Sequence, residues 1–225
     1  MDIAKYLDHA VLGPAMTPDE VRAAIRLGID LKVYSVCVRG ADIEMALEMC
    51  RGTGTRVGCV LDFPYGFSGA EVKRAAARDY AARGVCEIDM VMNYGYALGG
   101  RWDVVEEEVR GVVEDAHARG VLVKVIFETS QWPVEKIADG VEACVRAGAD
   151  FVKTSTGFNG AGATVEAVKA MLDAAKGRIK VKASGGIRDY ATAKMYLELG
   201  ADRLGVGSSG SKVICEGQGT STQAY

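Results

Sequence analysis

The chain alternates between two kinds of segment, and this alternation constrains the fold more than any other feature of the sequence. Short apolar runs are each followed by a stretch whose apolar residues recur every three or four positions. The first pattern predicts a buried β-strand, and the second predicts an amphipathic helix. The predicted strands are residues 7–12, 33–38, 56–63, 86–93, 122–128, 151–156, 180–186 and 202–207.

Several predicted helices have a capping residue or a proline at the start and a glycine at the end. The clearest run from Thr17-Pro18 to Gly28, from Pro133 to Gly148 and from Thr164 to Gly177. Eight strands, each followed by a helix, predict an α/β fold, a single-domain (β/α)8 TIM barrel over residues 1–216, with 217–225 as a mobile tail. The alternative is an open doubly wound sheet, but no GxGxxG motif opens the first helix.

Charge and composition exclude several classes of partner. The net charge is -3 at pH 7 with acids and bases interspersed, so we expect no nucleic-acid partner. No apolar run reaches the roughly 18 residues that span a bilayer, and no signal peptide opens the chain, so we expect no membrane partner and a cytoplasmic location. The six cysteines show no CxxC spacing and there are two histidines, so we expect reduced core thiols, no metal and no cofactor.

Ionisable residues stand inside three predicted strands where apolar residues are expected. Lys153 lies in the run FVKTSTGF, Lys182 in the next strand and Asp89 two strands earlier. Because side chains alternate along a strand, these three share the interior of the barrel if their faces point inward. The alternative is a neutralising ion pair, or a lysine that faces the helix layer.

Two lysines beside a carboxylate are suited to covalent chemistry on a carbonyl compound. An amine attacks a carbonyl only when it is unprotonated, and the ordinary pKa of lysine is about 10.4. Burial and a second cation both favour the neutral amine. We therefore predict that one lysine forms a Schiff base, that the other lowers its pKa, and that Asp89 transfers protons through a water molecule.

Two glycine-rich turns follow the last two predicted strands, SGGIR at 184–188 and GVGSSG at 205–210. Glycines let backbone N–H groups approach an anion, and the loops after strands seven and eight form the usual phosphate site of this fold. The turns therefore predict a small phosphorylated carbonyl compound as the substrate.

The motifs LDHAVL, EIDMVMNYGYAL, KVIFET, FVKTSTGF, VKASGGIR and ADRLGVGSSG, in this order, resemble those of the deoxyribose-phosphate aldolase family, class I aldolases with a (β/α)8 barrel. The resemblance implies reversible cleavage of 2-deoxy-D-ribose 5-phosphate to acetaldehyde and D-glyceraldehyde 3-phosphate. It implies Lys153 as the Schiff-base lysine, with Asp89, Lys182 and Tyr225 as further catalytic residues. The substrate-binding residues that it implies are Asp8, Lys124, Thr156, Gly157, Gly185, Gly186, Gly205, Gly207, Ser208 and Ser209.

The sequence departs from the family pattern in three places. Ala10 and Gly13 stand where threonine and lysine are common, and Asp62 stands where glycine is frequent. The loop after strand eight is one residue longer than the usual RxGxSSG, so the choice between Gly205 and Gly207 as the phosphate contact stays open.

Other interpretations also stay open at this point. Tyr225 resembles the terminal tyrosine that folds over the active site in many family members, and the alternative is an inert tail. The chain could be another phosphosugar aldolase or isomerase, or a phosphosugar-binding barrel without catalysis. We expect a homodimer or a homotetramer, because barrels of this type commonly pair.

Overall fold

Eight parallel strands close into a barrel in the computed structural model, which describes residues 2–217. Each strand pairs with the next along the chain, and the last pairs with the first. The strands are β1 (Leu7–Val11), β2 (Ser35–Val38), β3 (Arg56–Leu61), β4 (Glu87–Val91), β5 (Leu122–Ile126), β6 (Phe151–Lys153), β7 (Lys180–Ser184) and β8 (Arg203–Gly207). The predicted (β/α)8 barrel is confirmed.

Helices connect the strands around the outside of the barrel. In residues 2–217 the α-helices are α1 (Pro18–Asp30), α2 (Ile43–Cys50), α3 (Ala70–Arg83), α4 (Tyr94–Leu98), α5 (Trp102–His117), α6 (Ile137–Ala147), α7 (Val165–Ala175), α8 (Tyr190–Leu199) and α9 (Ser208–Cys215). Short 3-10 turns occupy Ile3–Tyr6, Gly40–Asp42, Thr129–Gln131 and Val134–Lys136. The predicted mobile tail begins at residue 217, and from residue 218 onward, including Tyr225, it lies outside the described residues.

The strands end earlier than the sequence pattern predicts. The predicted strands 56–63 and 122–128 stop at Leu61 and Ile126. Asp62 and Glu128 then take φ angles of 51° and 60°, in the left-handed region that a strand cannot contain. The polar residues after these strands therefore turn into the mouth of the barrel instead of continuing the ladder.

Of two glycines that were predicted to end a helix, one does so and the other lies inside its helix. Gly148 ends α6 with a φ of 83°, as predicted. In contrast, α1 begins at a capping box between Thr17 and Glu20 but continues past Gly28 to Asp30. A Cβ on Gly28 would lie 2.8 Å from Val36 Cγ1, so this glycine allows the helix to approach the sheet.

The main apolar core lies between the sheet and the helix layer. It contains alternate strand residues such as Leu7, Val36, Ile88 and Leu204, none of which is measurably exposed. The intervening residues point into the barrel, where many of them are polar or charged. This division places the ionisable strand residues inside the barrel and leaves the outer face to pack the helices.

Candidate active site

Lys153 and Lys182 lie side by side inside the barrel, directly paired in the register of β6 and β7. Both are buried, with exposed fractions of 3% and 1%. Asp89 on β4 reaches them from across the barrel, and its Oδ2 accepts from Lys153 Nζ at 2.8 Å and from Lys182 Nζ at 2.6 Å. The structure thus brings the two lysines and the aspartate together within hydrogen-bonding distance.

The two lysines differ in the number of carboxylates that they contact. Burial lowers the pKa of Lys153, Asp89 opposes this effect, and the cation of Lys182 adds to it, so the pKa of Lys153 falls below its ordinary value. Burial also acts on Lys182, but the carboxylates of Asp8 and Asp89 outweigh it and raise the pKa of Lys182. Of the two lysines, Lys153 therefore loses its proton more readily.

Asp89 is the shared acceptor of the cluster. Its Oδ1 accepts from Lys124 Nζ at 2.9 Å, while Oδ2 serves Lys153 and Lys182. Burial would raise the pKa of this carboxyl, but the three lysines hold it well below its ordinary range. Asp89 is therefore held as an ionised carboxylate that accepts hydrogen bonds from all three lysines.

Asp8 and Lys124 were predicted as substrate-binding residues, but the structure surrounds them with other charged groups. Asp8 Oδ2 accepts from Lys182 Nζ at 2.5 Å and from Lys124 Nζ at 3.0 Å. Its Oδ1 accepts from Ser35 Oγ at 2.6 Å and from Arg203 Nη1 at 2.8 Å. Both oxygens are thus occupied, and Asp8 is only 1% exposed.

Glu87 and Arg203 complete this cluster, and the sequence analysis missed both. Glu87 Oε2 accepts from Lys124 Nζ at 2.5 Å and from Arg203 Nη1 at 3.2 Å. Glu87 stands two residues before Asp89, so strand alternation places it on the same inward face. That spacing was the signal that pointed to Glu87, and Arg203 is the register partner of Lys182.

Glu128 is a further buried acidic residue that the sequence analysis did not single out. Its Oε2 accepts from the hydroxyl of Thr156, and its Oε1 accepts from the backbone N–H of Thr156 at 3.3 Å. Burial raises its pKa despite these hydrogen bonds. The predicted substrate residues Thr156 and Gly157 therefore belong to a turn that Glu128 holds in place.

The predicted phosphate glycines divide into two groups in the structure. Gly185 and Gly186 take φ angles of 86° and 76° in a turn after β7, where Gly185 is buried against Gly162 and Gly186 is exposed. Gly207 ends β8 and precedes Ser208, the first residue of α9, so the free N–H groups of that helix start at the mouth of the barrel. Gly205 instead lies within β8.

The position of Gly205 within its strand gives it a different role. A Cβ there would lie 2.4 Å from Ser184 Oγ and 3.1 Å from Lys182 Cε. Gly205 therefore makes room for the neighbouring side chains of β7. Of the two glycines that the sequence left open, Gly207 is the one adjacent to the start of α9.

A cleft of about 530 Å³ opens at the carboxyl ends of β1, β2, β3 and β6. Asp62, Phe63 and Phe158 are among its lining residues, and the two phenylalanine rings meet edge to face at 5.1 Å. Asp62 accepts from Ser68 N and Oγ at 2.9 and 2.7 Å, which stabilises its left-handed backbone. These bonds explain how an aspartate occupies a position where glycine is frequent in the family.

Residues 2–217 contain no group of three histidine, cysteine, aspartate or glutamate side chains arranged to hold a metal ion. Within the same range, no helix combines the length and the apolar character needed to cross a bilayer. All six cysteines lie in this range as free thiols, and Cys37, Cys50, Cys59 and Cys144 are buried.

Two neighbouring buried lysines inside a closed (β/α)8 barrel are characteristic of the class I aldolases. A family model for the DeoC/LacD family aldolases matches residues 3–211. The chain therefore belongs to the DeoC/LacD family of aldolases, as the resemblance of its motifs implied. It is an aldolase, a carbon-carbon lyase.

Named relatives agree over nearly the whole chain. The deoxyribose-phosphate aldolase of Thermus thermophilus is 42% identical, covering 96% of this chain and 98% of that protein. The enzyme of the same name from Exiguobacterium is 40% identical, covering 98% and 99%. Among solved structures, the aldolase QR15 superposes with a TM-score of 0.90 at 39% identity, covering 96% of this chain and 95% of that one.

A second solved structure bears on assembly. The deoxyribose phosphate aldolase of Aeropyrum pernix, described as a tetramer, superposes with a TM-score of 0.87 at 31% identity, covering 95% of this chain and 89% of that one.

Proposed function

We propose that this aldolase cleaves 2-deoxy-D-ribose 5-phosphate reversibly into acetaldehyde and D-glyceraldehyde 3-phosphate through a Schiff base on Lys153. One observation carries the proposal: Lys153 and Lys182 share Asp89, yet their pKa values move in opposite directions. The site thus combines a lysine that loses its proton more readily, as a nucleophile must, with a lysine that keeps its proton as a donor, both at one carboxylate. The names of the full-length relatives support the choice of substrate.

Schiff-base formation involves Lys153, Lys182 and Asp89. The nitrogen lone pair of Lys153 bonds to the aldehyde carbon C1, while the carbonyl π pair moves to oxygen, and a proton passes from nitrogen to that oxygen. Lys182 then protonates the resulting hydroxyl, which leaves as water when the nitrogen lone pair forms the C=N bond. The product is a protonated Schiff base, and Lys182, held by Asp89, stays neutral until the final hydrolysis returns its proton.

Carbon-carbon cleavage follows from the protonated Schiff base. Asp89, acting through a water molecule, takes the proton of the C3 hydroxyl. The C2–C3 bonding pair becomes the C1=C2 bond of an enamine, the C=N π pair returns to nitrogen, and C3 leaves as the aldehyde of glyceraldehyde 3-phosphate. The proton taken from the C3 hydroxyl is then delivered to C2 of the enamine, which regenerates the C=N bond. Hydrolysis by water releases acetaldehyde and Lys153 and returns one proton to Lys182.

We assign the phosphate group to the open ends of β7 and β8. The turn of Gly185 and Gly186 and the start of α9 at Ser208 and Ser209, preceded by Gly207, offer backbone N–H groups to an anion. Asp8 and Lys124, predicted to bind substrate, are assigned instead to holding Lys182 and Asp89 in place, because their polar atoms already contact those residues.

The enzyme's partners are small phosphosugars and aldehydes, and it uses neither nucleic acid nor a membrane. The tetrameric relative supports a homo-oligomer, and we propose a dimer or a tetramer in the cytoplasm. A part for Tyr225 stays a prediction, since that residue lies outside the described range.

Trapping with borohydride tests the mechanism. The protein is incubated with acetaldehyde and sodium borohydride, and peptide mass spectrometry locates the added ethyl group. We expect one adduct on Lys153 and none in Lys153→Arg, with the exposed Lys169→Met variant labelled like the wild type. An isomerase or a phosphosugar-binding barrel would form no adduct, and an adduct at another lysine would refute the assignment.

A substrate panel then tests specificity. Cleavage of 2-deoxy-D-ribose 5-phosphate is compared with cleavage of unphosphorylated 2-deoxy-D-ribose and of keto-sugar phosphates. We expect the first to have the highest kcat/KM, because only it combines an aldehyde for Lys153 with a phosphate for the ends of β7 and β8. A preference for a keto-sugar phosphate would identify a different aldolase activity.

A further inference from the structure

A second layer of charge lies beneath the two lysines of the active site. Arg203 Nη1 donates to Asp8 Oδ1 at 2.8 Å and to Glu87 at 3.2 and 3.3 Å. Its guanidinium carbon lies 3.4 Å from the centroid of the Tyr34 ring, so an aromatic face covers its other side. Arg203 and Glu87 are 6% and 1% exposed, which means that solvent screens their charges little.

This layer connects to Lys153 through a continuous chain of ion pairs. Arg203 contacts Glu87, and Glu87 contacts Lys124 at 2.5 Å. Lys124 in turn contacts Asp89 at 2.9 Å, and Asp89 contacts Lys153 at 2.8 Å. A change of charge at Arg203 or Glu87 therefore acts on Lys153 across a low-dielectric interior without any direct contact.

The formal charges of this network balance only if Lys153 is neutral. The carboxylates are Asp8, Glu87 and Asp89, and the cations other than Lys153 are Lys124, Lys182 and Arg203. Three negative and three positive charges cancel within this ion-pair network, so a protonated Lys153 gives the buried network a net positive charge. Such a charge costs several kcal/mol, a cost that is avoided when Lys153 gives up its proton.

We propose that Glu87 and Arg203 are positioning residues of the reaction, which set the charge balance of the barrel interior so that Lys153 is uncharged and nucleophilic. The proposal rests on the Schiff-base role of Lys153 proposed above. Glu87 and Arg203 have no part in the chemical steps themselves, since they act through Asp8, Lys124 and Asp89.

The other groups that face Lys153 do not provide this balance. They are Asp89 from β4, Lys182 from β7, Cys37 from β2 and Glu128 from the turn after β5. Burial raises the pKa of Cys37 to about 12, so its thiol is uncharged at neutral pH. Glu128 bonds to Thr156, and substitution of Glu87 or Arg203 leaves that contact in place.

The test uses two single variants and their combination in the full chain. Glu87→Gln removes a negative charge and disfavours the Lys153 ammonium, so we expect the acid limb of kcat/KM for 2-deoxy-D-ribose 5-phosphate to move to lower pH by about one unit. Arg203→Met removes a positive charge, so the limb moves to higher pH by about one unit and activity on that limb falls about tenfold. The double variant restores the balance, and its limb returns close to that of the wild type.

Opposite shifts that cancel in the double variant are the signature of charge balance, because a loss of packing would not move the profile in two directions. Shifts in one direction for both variants, or unshifted profiles, would overturn the proposal. Arg203→Lys keeps the charge and is expected to keep the wild-type limb. If Arg203→Met does not fold, Glu87→Gln decides alone: an acid shift supports the proposal and an unmoved limb overturns it.

The borohydride adduct separates this inference from the proposed function. If wild-type protein forms no adduct at Lys153, the proposed function itself fails. If the adduct forms on Lys153 but the pH dependence of its formation is the same in wild type, Glu87→Gln and Arg203→Met, then only the charge-balance inference fails.

Discussion

Lys153 and Lys182 donate to the same oxygen of Asp89, at 2.8 and 2.6 Å, yet the pKa of Lys153 is lowered and that of Lys182 is raised. The cause is a second carboxylate: Lys182 also contacts Asp8, whereas Asp89 is the one acidic side chain paired with Lys153 in residues 2–217. Asp89 thus links the more readily deprotonated Lys153 to the more strongly protonated Lys182 through two hydrogen bonds.

Replacement of Lys182 by methionine tests this inequality. The change removes a cation beside Lys153 and leaves Asp89 with one partner fewer, so the pKa of Lys153 rises and the ammonium persists at neutral pH. We expect cleavage at pH 7 to fall by at least about tenfold for each unit of that rise, with partial recovery at alkaline pH. The pH profile of kcat/KM measures it.

The exposed Lys169→Met variant is the control for the Lys182 substitution, since it removes a lysine charge from the surface of α7. It is expected to keep the wild-type rate and profile. Wild-type activity with an unchanged profile in Lys182→Met would contradict the division of roles between the two lysines.

The loops after β6 and β7 touch through their backbones, which makes Gly162 sensitive to substitution. A Cβ on Gly162 would lie 2.0 Å from the carbonyl carbon of Gly185, so alanine forces apart the turn of Gly185 and Gly186, to which we assign the phosphate. We expect Gly162→Ala to raise KM for the phosphorylated substrate at least tenfold and to lower the midpoint of thermal unfolding. Steady-state kinetics and calorimetry measure the two effects.

Gly69→Ala is the matched control, because Gly69 has a φ of −64° and nothing lies within 4 Å of its Cβ position. This variant is expected to match the wild type in KM and thermal midpoint. If Gly162→Ala also matched the wild type, the close contact between the two loops would carry no function.

The hydroxyl of Thr156 holds the turn after β6 by donating to buried Glu128. Thr156→Val keeps the shape and removes the donor, leaving a buried carboxyl without one partner at a cost of about 1–3 kcal/mol. We expect a loss of that size in the free energy of unfolding and a higher KM. Denaturant titration and kinetics measure these quantities.

Thr55→Val separates a general effect of a lost hydroxyl from an effect on the turn. Thr55 Oγ1 donates to the carbonyl of Val33 at 3.3 Å, just before β3 at the opposite end of the barrel. This variant is expected to lose stability with an unchanged KM. Equal kinetic effects in both variants would show that Glu128 does not position the turn.

Strand alternation is local, and this is why the trio of Lys153, Lys182 and Asp89 was predictable from the sequence. A period of two residues decides which side of a strand a residue occupies, and eight strand–helix repeats decide that the inner side is enclosed. The pairing of Arg203 with Glu87 was not predictable in the same way. It joins β8 to β4 across the barrel interior, and only closure and register bring these residues together.

The same limit applies to the ends of the strands and to the glycines. Residues after Leu61 and Ile126 have strand-like composition, but left-handed turns at Asp62 and Glu128 end those strands. Gly205 reads as part of a phosphate turn in GVGSSG, whereas the side chain of Ser184 on the neighbouring strand explains why it is glycine. A local motif does not reveal which neighbouring side chain fills the space beside a glycine.

His9 makes stability depend on pH away from the active site. Its Nε2–H donates to the carbonyl of Ala24 at 3.0 Å, so Nδ1 accepts from Ser211 Oγ at 2.9 Å. Burial lowers the pKa of His9 to about 4, and the bond to Ala24 only partly opposes this. In the unfolded chain the imidazole has its ordinary pKa of about 6.5.

Because the pKa of His9 is lower in the folded state, the unfolded state binds the extra proton as the pH falls. The stabilising effect is complete above about pH 6.5 and declines towards pH 4, for a total loss of about 3 kcal/mol. We expect this decline in denaturant titrations between pH 7.5 and 5, where most carboxylates are still ionised. His117→Gln leaves one histidine and should keep the decline, while His9→Gln should flatten it. An imidazole signal in folded His117→Gln that titrates near pH 6.5 would contradict a buried, neutral His9.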